Sequence, residues 1–456
     1  MRFTAITHVY FLGIGGIGMS AIARYFNSKN CTVSGYDKTE SPLTKSLVSE
    51  GITLHYNDLG EDVLQFVHSP ENTLVIYTPA VPTSLEEYKV LKSNGFAIKK
   101  RAEVLGIIAS DYKCLAVAGT HGKTTSSTLL AHVLKNANIP CDAFLGGIST
   151  NYNTNLLLEK GAPWMVVEAD EFDRSFLQLH PFISVITSYD ADHLDIYQTS
   201  DALKESFQDY ANQINPSGKL IKHHQLDLTS KCQQITYGIS EDFSTIDYCG
   251  FNLRYENGKF LFDLKTPQQT WEALELGIFG IHNVENALAI IALCTNIGLS
   301  ENTIRDGLKT FQGVKRRFEY HIRGNDLVFI DDYAHHPTAI AQLIASIRLI
   351  YPELPITGIF QPHLFSRTAD FMDEFANELS KLDNCILLPI YPAREEPIEG
   401  ITSDVLLQKI TSPKKSLVEK KDIMQTLKGI KGVVLTIGAG DIDRLVEPIK
   451  MELIQA

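Results

Sequence analysis

The 456-residue chain lacks the features that would place it in a membrane or on nucleic acid. Its apolar runs all stay short of the ~20 residues that a membrane-spanning helix needs. The net charge is −13 and there is no basic tract, so neither membrane insertion nor a nucleic-acid partner is expected. With 44% hydrophobic and 21% charged residues, the composition is typical of a soluble globular protein.

Cysteine pairs are also missing. The seven cysteines are scattered, several lie inside apolar segments, and no C-x-x-C pair occurs. An odd, scattered set argues against a disulfide framework or a zinc site and favours reduced thiols in a cytoplasmic protein. The sequence has no fixed-period repeat and no low-complexity linker, so a repeat architecture is not expected.

Short apolar strands alternate with helical segments along most of the chain, which predicts parallel α/β sheets. The length calls for about three domains. We predict a Rossmann-like domain at residues 1–107, a central α/β domain at 108–320 and a second Rossmann-like α/β domain at 321–456. Residues 218–270 read as alternating strands and turns, and they predict a β-rich addition to the central domain.

Residues 117–125, Val-Ala-Gly-Thr-His-Gly-Lys-Thr-Thr, are the most informative segment. They lie between a strand predicted over 114–117 and a helix predicted over 126–134. A glycine turn that leads into a helix directs backbone N–H groups at one point and binds phosphate. Lys123 would add positive charge for terminal phosphates, and the Thr124 hydroxyl is a candidate Mg²⁺ ligand. Val117 stands where the usual P-loop pattern has its first glycine.

A second glycine loop follows the predicted first strand, residues 8–12. Residues 13–18 fit G-x-G-x-x-G, and a helix is predicted over 19–27. Asp37, at the end of a strand predicted over 32–36, stands at the distance expected of a ribose-binding acid. The pattern is a dinucleotide fingerprint, but any nucleotide diphosphate can bind such a turn.

Two acid-rich turns follow neighbouring predicted strands of the central domain. Residues 168–173, Glu-Ala-Asp-Glu-Phe-Asp, come after one strand, and residues 190–195, Asp-Ala-Asp-His-Leu-Asp, come after the next. Acids at the carboxyl ends of strands lie where α/β proteins bind ligands, and beside a phosphate loop they predict a Mg²⁺ site. In this setting His193 is a candidate metal ligand.

Polar clusters also end two predicted strands of the third domain. They are residues 331–337, Asp-Asp-Tyr-Ala-His-His-Pro, and residues 361–367, Gln-Pro-His-Leu-Phe-Ser-Arg. Both would line one rim of the sheet and are suited to an anionic small molecule or a nucleotide. The basic turn at 315–317 precedes this domain, where an arginine could stabilise transferred phosphoryl charge.

In their order along nearly the whole chain, these motifs resemble those of the Mur ligases. The matching segments are residues 13–20, 101–103, 119–124, 168–171, 190–195, 282–286, 315–319, 332–337, 391–393 and 438–442. The resemblance implies a three-domain α/β fold whose domains bind a UDP-sugar, ATP with Mg²⁺, and an amino acid, in chain order. Within the family, the branch that adds L-alanine to UDP-N-acetylmuramate through an acyl phosphate is the most similar.

The resemblance also implies roles for individual residues. The ATP-binding residues would be Gly119, Thr120, His121, Gly122, Lys123, Thr124, Thr125, Asn283, Asn286, Arg317 and Asp332. The metal ligands would be Thr124, Glu168 and His193. The UDP-sugar would bind Gly15, Gly16, Ile17, Gly18, Asp37, Thr78 and Arg101. The amino-acid side would comprise Tyr333, His335, His363 and Arg367. The residues with catalytic roles would be Lys123, His193, Arg317 and His335.

Two departures leave alternatives open. Leu364 occupies a position where the alanine-adding branch often has arginine, and residues 332–339 resemble the branch that recycles a cell-wall tripeptide. From other classes, an NAD-dependent oxidoreductase or a non-catalytic nucleotide sensor would also use glycine loops. The alanine-adding interpretation predicts UDP-N-acetylmuramate and L-alanine as partners, a bacterial cytoplasmic location, and a monomer or homodimer.

Overall fold

The computed structural model describes residues 3–190, 197, 199–393 and 395–455. The chain forms two compact units built from discontinuous segments. Unit 1 comprises Met1–Asn252, Asp263–Leu274 and Glu285–Phe311, and unit 2 comprises Leu253–Phe262, Glu275–Val284 and Gln312–Ala456. Among the described residues, no helix combines the length and the apolar character needed to cross a membrane.

Unit 1 begins with a five-stranded parallel sheet in the order β3-β2-β1-β4-β5. Its strands are β1 (His8–Leu12), β2 (Thr32–Tyr36), β3 (Thr53–His55), β4 (Thr73–Tyr77) and β5 (Ala97–Lys100). Its helices are α1 (Ile17–Ser28), α2 (Pro42–Ser49), α3 (Glu86–Ser93) and α4 (Arg101–Ala109). The strand order reverses between β1 and β4, the position at which doubly wound sheets bind nucleotides.

The second sheet of unit 1 has β6 near its centre, in the order β13-β12-β11-β10-β6-β9-β7-β8. Its strands are β6 (Lys113–Ala118), β7 (Cys141–Phe144), β8 (Leu156–Leu157), β9 (Trp164–Ala169), β10 (Ile183–Ile186), β11 (Lys219–His223), β12 (Gln233–Ile239) and β13 (Tyr248–Glu256). The unit 1 parts of β14 (Lys259–Lys265) and β15 (Thr270–Leu276) extend it beyond β13. The predicted β-rich addition therefore continues the central sheet.

In the part of the chain that the structure describes, four α-helices follow β6 in the central region, and the first of them begins within the phosphate loop, residues 119–125. They are α5 (Lys123–Asn136), α6 (Ser200–Asn212), α7 (Ile281–Asn296) and α8 (Glu301–Thr310). Helix α5 begins three residues earlier than predicted, because Gly122 precedes it with a φ of 79° that favours glycine. Every residue from 124 to 134 is buried, so α5 is a core helix rather than an amphipathic surface helix.

The two sheets of unit 1 share one apolar core. Phe26 and Ile108 of the first sheet's helices belong to the same cluster of buried side chains as Phe144 and Phe176 of the central region. Backbones also approach closely, because a Cβ added at Gly106 in α4 would lie 2.3 Å from the carbonyl oxygen of Gln178. The first sheet is therefore packed directly against the region that carries the phosphate loop.

Unit 2 contains a six-stranded sheet in the order β16-β17-β21-β18-β19-β20, in which only the edge strand β16 is antiparallel to its neighbour. The strands are β16 (Glu319–Arg323), β17 (Leu327–Asp332), β18 (Ile356–Phe360), β19 (Asn384–Leu387), β20 (Lys414–Leu417) and β21 (Gly432–Ile437). Its helices are α9 (Pro337–Ile350), α10 (Phe365–Asp370), α11 (Met372–Leu379), α12 (Ser403–Lys409), α13 (Ile423–Thr426) and α14 (Val446–Gln455).

The three sheets agree with the predicted α/β class. The domain boundaries at 1–107, 108–320 and 321–456 stay predictions, since the two compact units divide the chain differently.

His132 makes the stability of the α5 region depend on pH. Its Nδ1 lies 2.8 Å from the Tyr152 hydroxyl and its Nε2 lies 2.9 Å from Thr310 Oγ1. Burial lowers the pKa of His132 to about 4. In the unfolded chain the pKa is about 6.5, so stability present above that pH is lost as the pH falls towards the folded-state value.

Between about pH 7 and about pH 4.5, we expect the free energy of unfolding of His132→Gln to fall by about 2 kcal/mol less than that of the wild type, measured by urea denaturation. His68→Gln, at an exposed histidine, is the matched control and should keep the wild-type pH dependence. A His132→Gln profile with the wild-type slope would contradict this assignment.

Candidate functional site

Three functional loops start side by side at the carboxyl edge of the central sheet. Ala118, the last residue of β6, pairs with Ala169 of β9 on one side and with Ile186 of β10 on the other. The phosphate loop leaves β6, the acid loop (residues 168–173) leaves β9, and a third loop leaves β10. The register of parallel strands thus brings together motifs that lie about 70 residues apart in the sequence.

The loop after β10 fixes the conformation of the phosphate loop. Thr120 Oγ1 lies 2.8 Å from Ser188 Oγ, and the same serine oxygen accepts the backbone N–H of His121 at 3.0 Å. Thr187 donates its hydroxyl to the carbonyl oxygen of His121 at 2.5 Å. The Asp190 amide donates to Thr120 Oγ1 at 3.1 Å, and Asp190 Oδ2 lies 3.4 Å from His121 Nε2. Thr120 and His121 therefore help to shape the loop.

Lys123 forms a buried ion pair with Glu171 of the acid loop. Its ammonium lies 2.7 and 2.9 Å from the two carboxylate oxygens and 2.6 Å from the carbonyl oxygen of Gly119. The Lys123 side chain is 12% exposed and that of Glu171 is 0% exposed. Burial alone lowers the pKa of Lys123, but Glu171, Asp170 and Glu168 outweigh it and raise the pKa, so the lysine is charged.

Two of the residues predicted to hold Mg²⁺, Thr124 and Glu168, have suitable chemistry and suitable positions. Thr124 and Thr125 lie nearly buried in the first turn of α5, and Glu168 lies at the end of β9 beside the phosphate loop. The Glu168 carboxylate rests against Gly146, where an added Cβ would lie 1.9 Å from Oε2. Hydroxyl and carboxylate oxygens are the ligands that Mg²⁺ prefers. The donor set therefore fits this ion.

Asn283 and Asn286, which were predicted to contact the nucleotide together, have different surroundings in the structure. Asn286 lies against the phosphate loop, because a Cβ added at Gly122 would lie 2.3 Å from Asn286 Oδ1. Asn283 donates its amide to the carbonyl oxygen of Phe279 at 2.6 Å. The geometry supports Asn286 as part of the site, and the role of Asn283 stays a prediction.

The first glycine loop is closed by Asp37, which accepts the Gly15 amide at 2.7 Å. A Cβ at Gly15 would lie 2.8 Å from the same carboxylate, so a larger residue there would displace the Asp37 side chain. Gly16 caps α1, which begins at Ile17. A Cβ at Gly18 would lie 2.5 Å from Arg101 Nη1.

Thr78, at the end of β4, packs against the start of the same loop. A Cβ added at Gly13 would lie 2.7 Å from Thr78 Cγ2. The predicted UDP-sugar residues therefore form one cluster at the topological switch point of the first sheet.

The acid loop also contacts the first sheet. Arg101 Nη2 lies 3.3 Å from Asp170 Oδ2, and Lys100 Nζ lies 2.9 Å from Asp173 Oδ2. Asp173 and Arg174 have φ values of 52° and 53°, in the left-handed region that non-glycine residues rarely adopt. One loop therefore carries counter-ions for Lys123 on one side and for Lys100 and Arg101 on the other.

His193 lies outside the described residues, so its predicted metal role stays a prediction. The next described residue, Tyr197, donates its hydroxyl to the carbonyl oxygen of Glu171 at 2.6 Å. This bond ties the acid loop to the chain just after the second acid-rich turn.

In unit 2, the ends of β17, β21 and β18 lie in register. Asp332 pairs with Ile437, and Ile437 pairs with Phe360. The two carboxylate oxygens of Asp332 each accept a backbone N–H at 2.7 Å, from Phe318 and from Ala334. Asp332 is therefore fixed at the edge of the sheet and holds the turn that precedes β16.

The basic turn before β16 packs on Tyr333. The guanidinium carbons of Arg316 and Arg317 lie 5.0 and 4.7 Å from the centre of its ring. Arg316 also donates to the carbonyl oxygen of Gly438 at 2.7 Å and lies 3.5 Å from the Asp331 carboxylate. Arg316 thus anchors the turn, a role that the sequence did not indicate. Its neighbour Arg317 is the arginine predicted to stabilise transferred phosphoryl charge.

The residues predicted for the amino-acid side form a cluster at the same edge. The ring centres of His335 and His363 are 6.3 Å apart, and those of His335 and Tyr333 are 5.3 Å apart. Arg367 Nη1 lies 3.5 Å from His363 Nδ1, and the His363 ring stacks on Tyr391 at 5.7 Å. Sequence reasoning placed Tyr391 in a motif but missed its contact with His363.

Glu319, His321 and Asp331 form a group whose ligand atoms all lie within 4.8 Å of one another. The carboxylate of Glu319 accepts the Arg316 amide at 2.7 Å, and the guanidinium of Arg316 lies beside Asp331. Because a cation already neutralises this group, we assign it to the structure of the turn rather than to metal binding.

Comparison with known proteins places this geometry in a family. Three family models match in succession: the Mur ligase family catalytic domain over residues 8–113, the Mur ligase middle domain over 117–294, and the Mur ligase glutamate ligase domain over 316–440. The sequence is 45% identical to the UDP-N-acetylmuramate–L-alanine ligase of Cytophaga hutchinsonii and 47% identical to that of Flavobacterium johnsoniae, with 98% or more of each chain covered.

Solved structures give the same result. The UDP-N-acetylmuramate–alanine ligase of Thermotoga maritima superposes with a TM-score of 0.84 at 26% identity, covering 98% of this chain and 99% of that one. A murein peptide ligase from Psychrobacter arcticus superposes with a TM-score of 0.71 at 21% identity and shows a shared fold. The predicted three-domain α/β fold is confirmed.

Leu364 lies within the amino-acid cluster in a strained conformation. Its φ is 70° and its ψ is 139°, and its amide donates to the Tyr391 carbonyl oxygen at 2.9 Å. We expect Leu364→Gly to be more stable than Leu364→Ala by about 1 kcal/mol in urea denaturation, because glycine adopts positive φ without a Cβ penalty.

Ala369→Gly, in the helix that follows, is the control and should show the ordinary order, with glycine less stable than alanine by about 1 kcal/mol. If Leu364→Ala proved as stable as Leu364→Gly or more stable, the result would contradict backbone strain at residue 364.

Proposed function

The chain belongs to the Mur ligase family, and from this premise we propose that it joins L-alanine to the lactyl carboxylate of UDP-N-acetylmuramate with ATP as energy source. It is an ATP-dependent acid–amino-acid ligase of peptidoglycan precursor synthesis. The observation that carries this function is the acid loop, which pairs Glu171 with the lysine of the phosphate loop and Asp170 with Arg101 of the predicted sugar site. ATP and nucleotide sugars are cytoplasmic, so we assign the reaction to the bacterial cytoplasm.

The reaction proceeds in two steps. A lactyl carboxylate oxygen attacks the γ-phosphorus of ATP, and the bond between that phosphorus and the oxygen bridging to the β-phosphate breaks. ADP departs, and the sugar nucleotide now carries an acyl phosphate. The alanine amine then attacks the acyl carbon, and the tetrahedral intermediate releases inorganic phosphate as the amide forms. The protein must hold two anions in line and neutralise their charge.

We assign the ATP phosphates to the phosphate loop, residues 119–125, with Lys123 at the β- and γ-phosphates and Asn286 beside Gly122. Asn283, Arg317 and Asp332 are the further contacts predicted from the family. Mg²⁺, when bound, would be held by Thr124, Glu168 and His193 and would reduce the charge repulsion between the phosphates and the attacking carboxylate.

We assign the UDP-sugar to the switch point of the first sheet. The backbone at Gly15, Gly16, Ile17 and Gly18 begins a helix, whose N-terminal amides suit a diphosphate. Arg101 lies against Gly18 and carries a charge that suits an anionic group of the sugar nucleotide. Thr78 and Asp37 complete this cluster.

We assign L-alanine to the cluster in unit 2. Arg367 presents a planar guanidinium that matches a carboxylate in two hydrogen bonds. His335 Nδ1 lies 2.9 Å from the Tyr333 carbonyl oxygen, which can only accept, so Nδ1 is the nitrogen that carries a proton there. His335 is therefore our candidate to take the proton that the attacking amine loses, with His363 and Tyr333 as its neighbours.

The alternatives are not favoured. UDP-N-acetylmuramate–L-alanine ligases match this chain at 45–48% identity over nearly the full length, which favours alanine as the substrate over a whole recycled tripeptide. The family assignment replaces the NAD-dependent oxidoreductase interpretation of the first glycine loop. The monomer or homodimer expected from the sequence stays a prediction.

We expect phosphate release from ATP and Mg²⁺ to require both UDP-N-acetylmuramate and L-alanine, measured by a coupled phosphate assay across amino acids and the cell-wall tripeptide. Lys123→Ala should reduce this release at least ~10³-fold, because the charge facing the γ-phosphate is lost. Lys135→Ala, which breaks the 3.0 Å pair with Glu159 on the same helix, should retain wild-type release. A preference for the tripeptide would move the chain to the recycling branch.

We expect Arg367→Lys to raise the KM for L-alanine by roughly 10- to 100-fold with a much smaller change in kcat, because lysine cannot form the two parallel bonds of a guanidinium. The control is Arg348→Lys, at a surface arginine that lies 2.9 Å from Asp383. An unchanged KM for L-alanine, or an equal rise in the KM for ATP, would remove Arg367 from the amino-acid site.

A further inference from the structure

All three N–H donors of the Lys123 ammonium have an oxygen acceptor within the protein. Three oxygens surround the ammonium: Glu171 Oε1, Glu171 Oε2 and the carbonyl oxygen of Gly119, all within 2.9 Å. A phosphate oxygen that binds Lys123 must therefore take the place of at least one of them.

Of the three oxygens, those of Glu171 are the ones that can be given up. The Gly119 carbonyl belongs to the phosphate loop, which Thr187 and Ser188 hold through His121. Glu171 instead lies in a loop with left-handed φ values at Asp173 and Arg174. Strain of this kind is maintained by surrounding contacts, here the ion pairs of the loop and the Tyr197 hydroxyl. A loop held in this way can rearrange when one of its ion pairs is replaced.

We propose that Glu171 is a positioning residue whose carboxylate is the displaceable counter-ion of Lys123, exchanged in part for the terminal phosphates of ATP. This inference rests on the proposed ATP site. Glu171 opposes ATP binding, because the nucleotide must compete with it, and supports turnover, because one retained bond directs the lysine at the γ-phosphate. Its effects on affinity and on rate therefore have opposite signs.

The Lys135–Glu159 pair shows what distinguishes this arrangement. That pair also joins a lysine of α5 to a glutamate, but its side chains are 40% and 30% exposed. Water replaces either partner there at little cost. Lys123 is 12% exposed and Glu171 is fully buried, so only another anion can replace the carboxylate.

The test is Glu171→Gln, which keeps the shape of the side chain and removes its charge. We expect the Kd for ATP, measured by isothermal titration calorimetry, to fall about tenfold, because the competing anion is gone. We expect kcat to fall about tenfold or more, because the lysine loses its directing bond. Glu159→Gln is the matched control and should change neither value.

A weaker or unchanged affinity for ATP in folded Glu171→Gln protein would overturn the proposal, since a purely structural glutamate can only be lost at a cost to binding. If the glutamine variant does not fold, Glu171→Asp keeps the charge and shortens the reach. We expect that variant to bind ATP two- to fivefold more tightly, and equal or weaker binding would overturn the proposal.

The proposed function is tested separately by substrate-dependent phosphate release of the wild-type protein. Wild-type release with no gain in ATP affinity in the variants would contradict the role of Glu171 and leave the ligase assignment intact. Tighter ATP binding in the variants without wild-type release would contradict the ligase assignment alone.

Discussion

A charge withdrawn from water needs an opposite charge beside it, and this constraint shapes the centre of unit 1. Lys123 is buried at the start of α5, and Glu171 supplies its counter-ion. Within two residues on either side, Asp170 and Asp173 pair with Arg101 and Lys100 of the first sheet. A single loop therefore compensates the cations of two predicted substrate sites, so neither site is electrostatically independent of the other.

The parallel sheets explain why so few contacts are needed to assemble these sites. Ala118, Ala169 and Ile186 end three adjacent strands, so the loops after β9 and β10 each start one strand spacing from the phosphate loop. The same rule operates in unit 2, where Asp332, Ile437 and Phe360 are in register and the histidine cluster follows from them. Each carboxyl edge offers short polar loops on a rigid, apolar base.

The fold was largely predictable because its strands are short apolar runs bounded by glycine and polar residues. The predicted strands at 8–12, 32–36, 73–77 and 356–360 coincide with β1, β2, β4 and β18. Helix starts were less predictable, since α5 begins at Lys123, directly after a left-handed glycine, rather than at Ser126. The motifs identified the residues of the site, but they could not show that Glu171, rather than another acid of the loop, pairs with Lys123.

Pairing of this kind depends on backbone direction, which a list of residue types does not contain. Arg316 and Arg317 are adjacent and chemically identical, yet Arg316 holds Gly438 and Asp331. Both guanidinium groups also lie over the Tyr333 ring. The left-handed φ of 63° at Arg316 turns the chain between the two residues, and the Arg316 side chain reaches the oxygens of Gly438 and Asp331. These oxygens hold the Arg316 side chain inside the turn that precedes β16. The contacts with Gly438 and Asp331 identify Arg316 as the arginine that anchors the turn, and the family resemblance assigns its neighbour Arg317 to phosphoryl transfer.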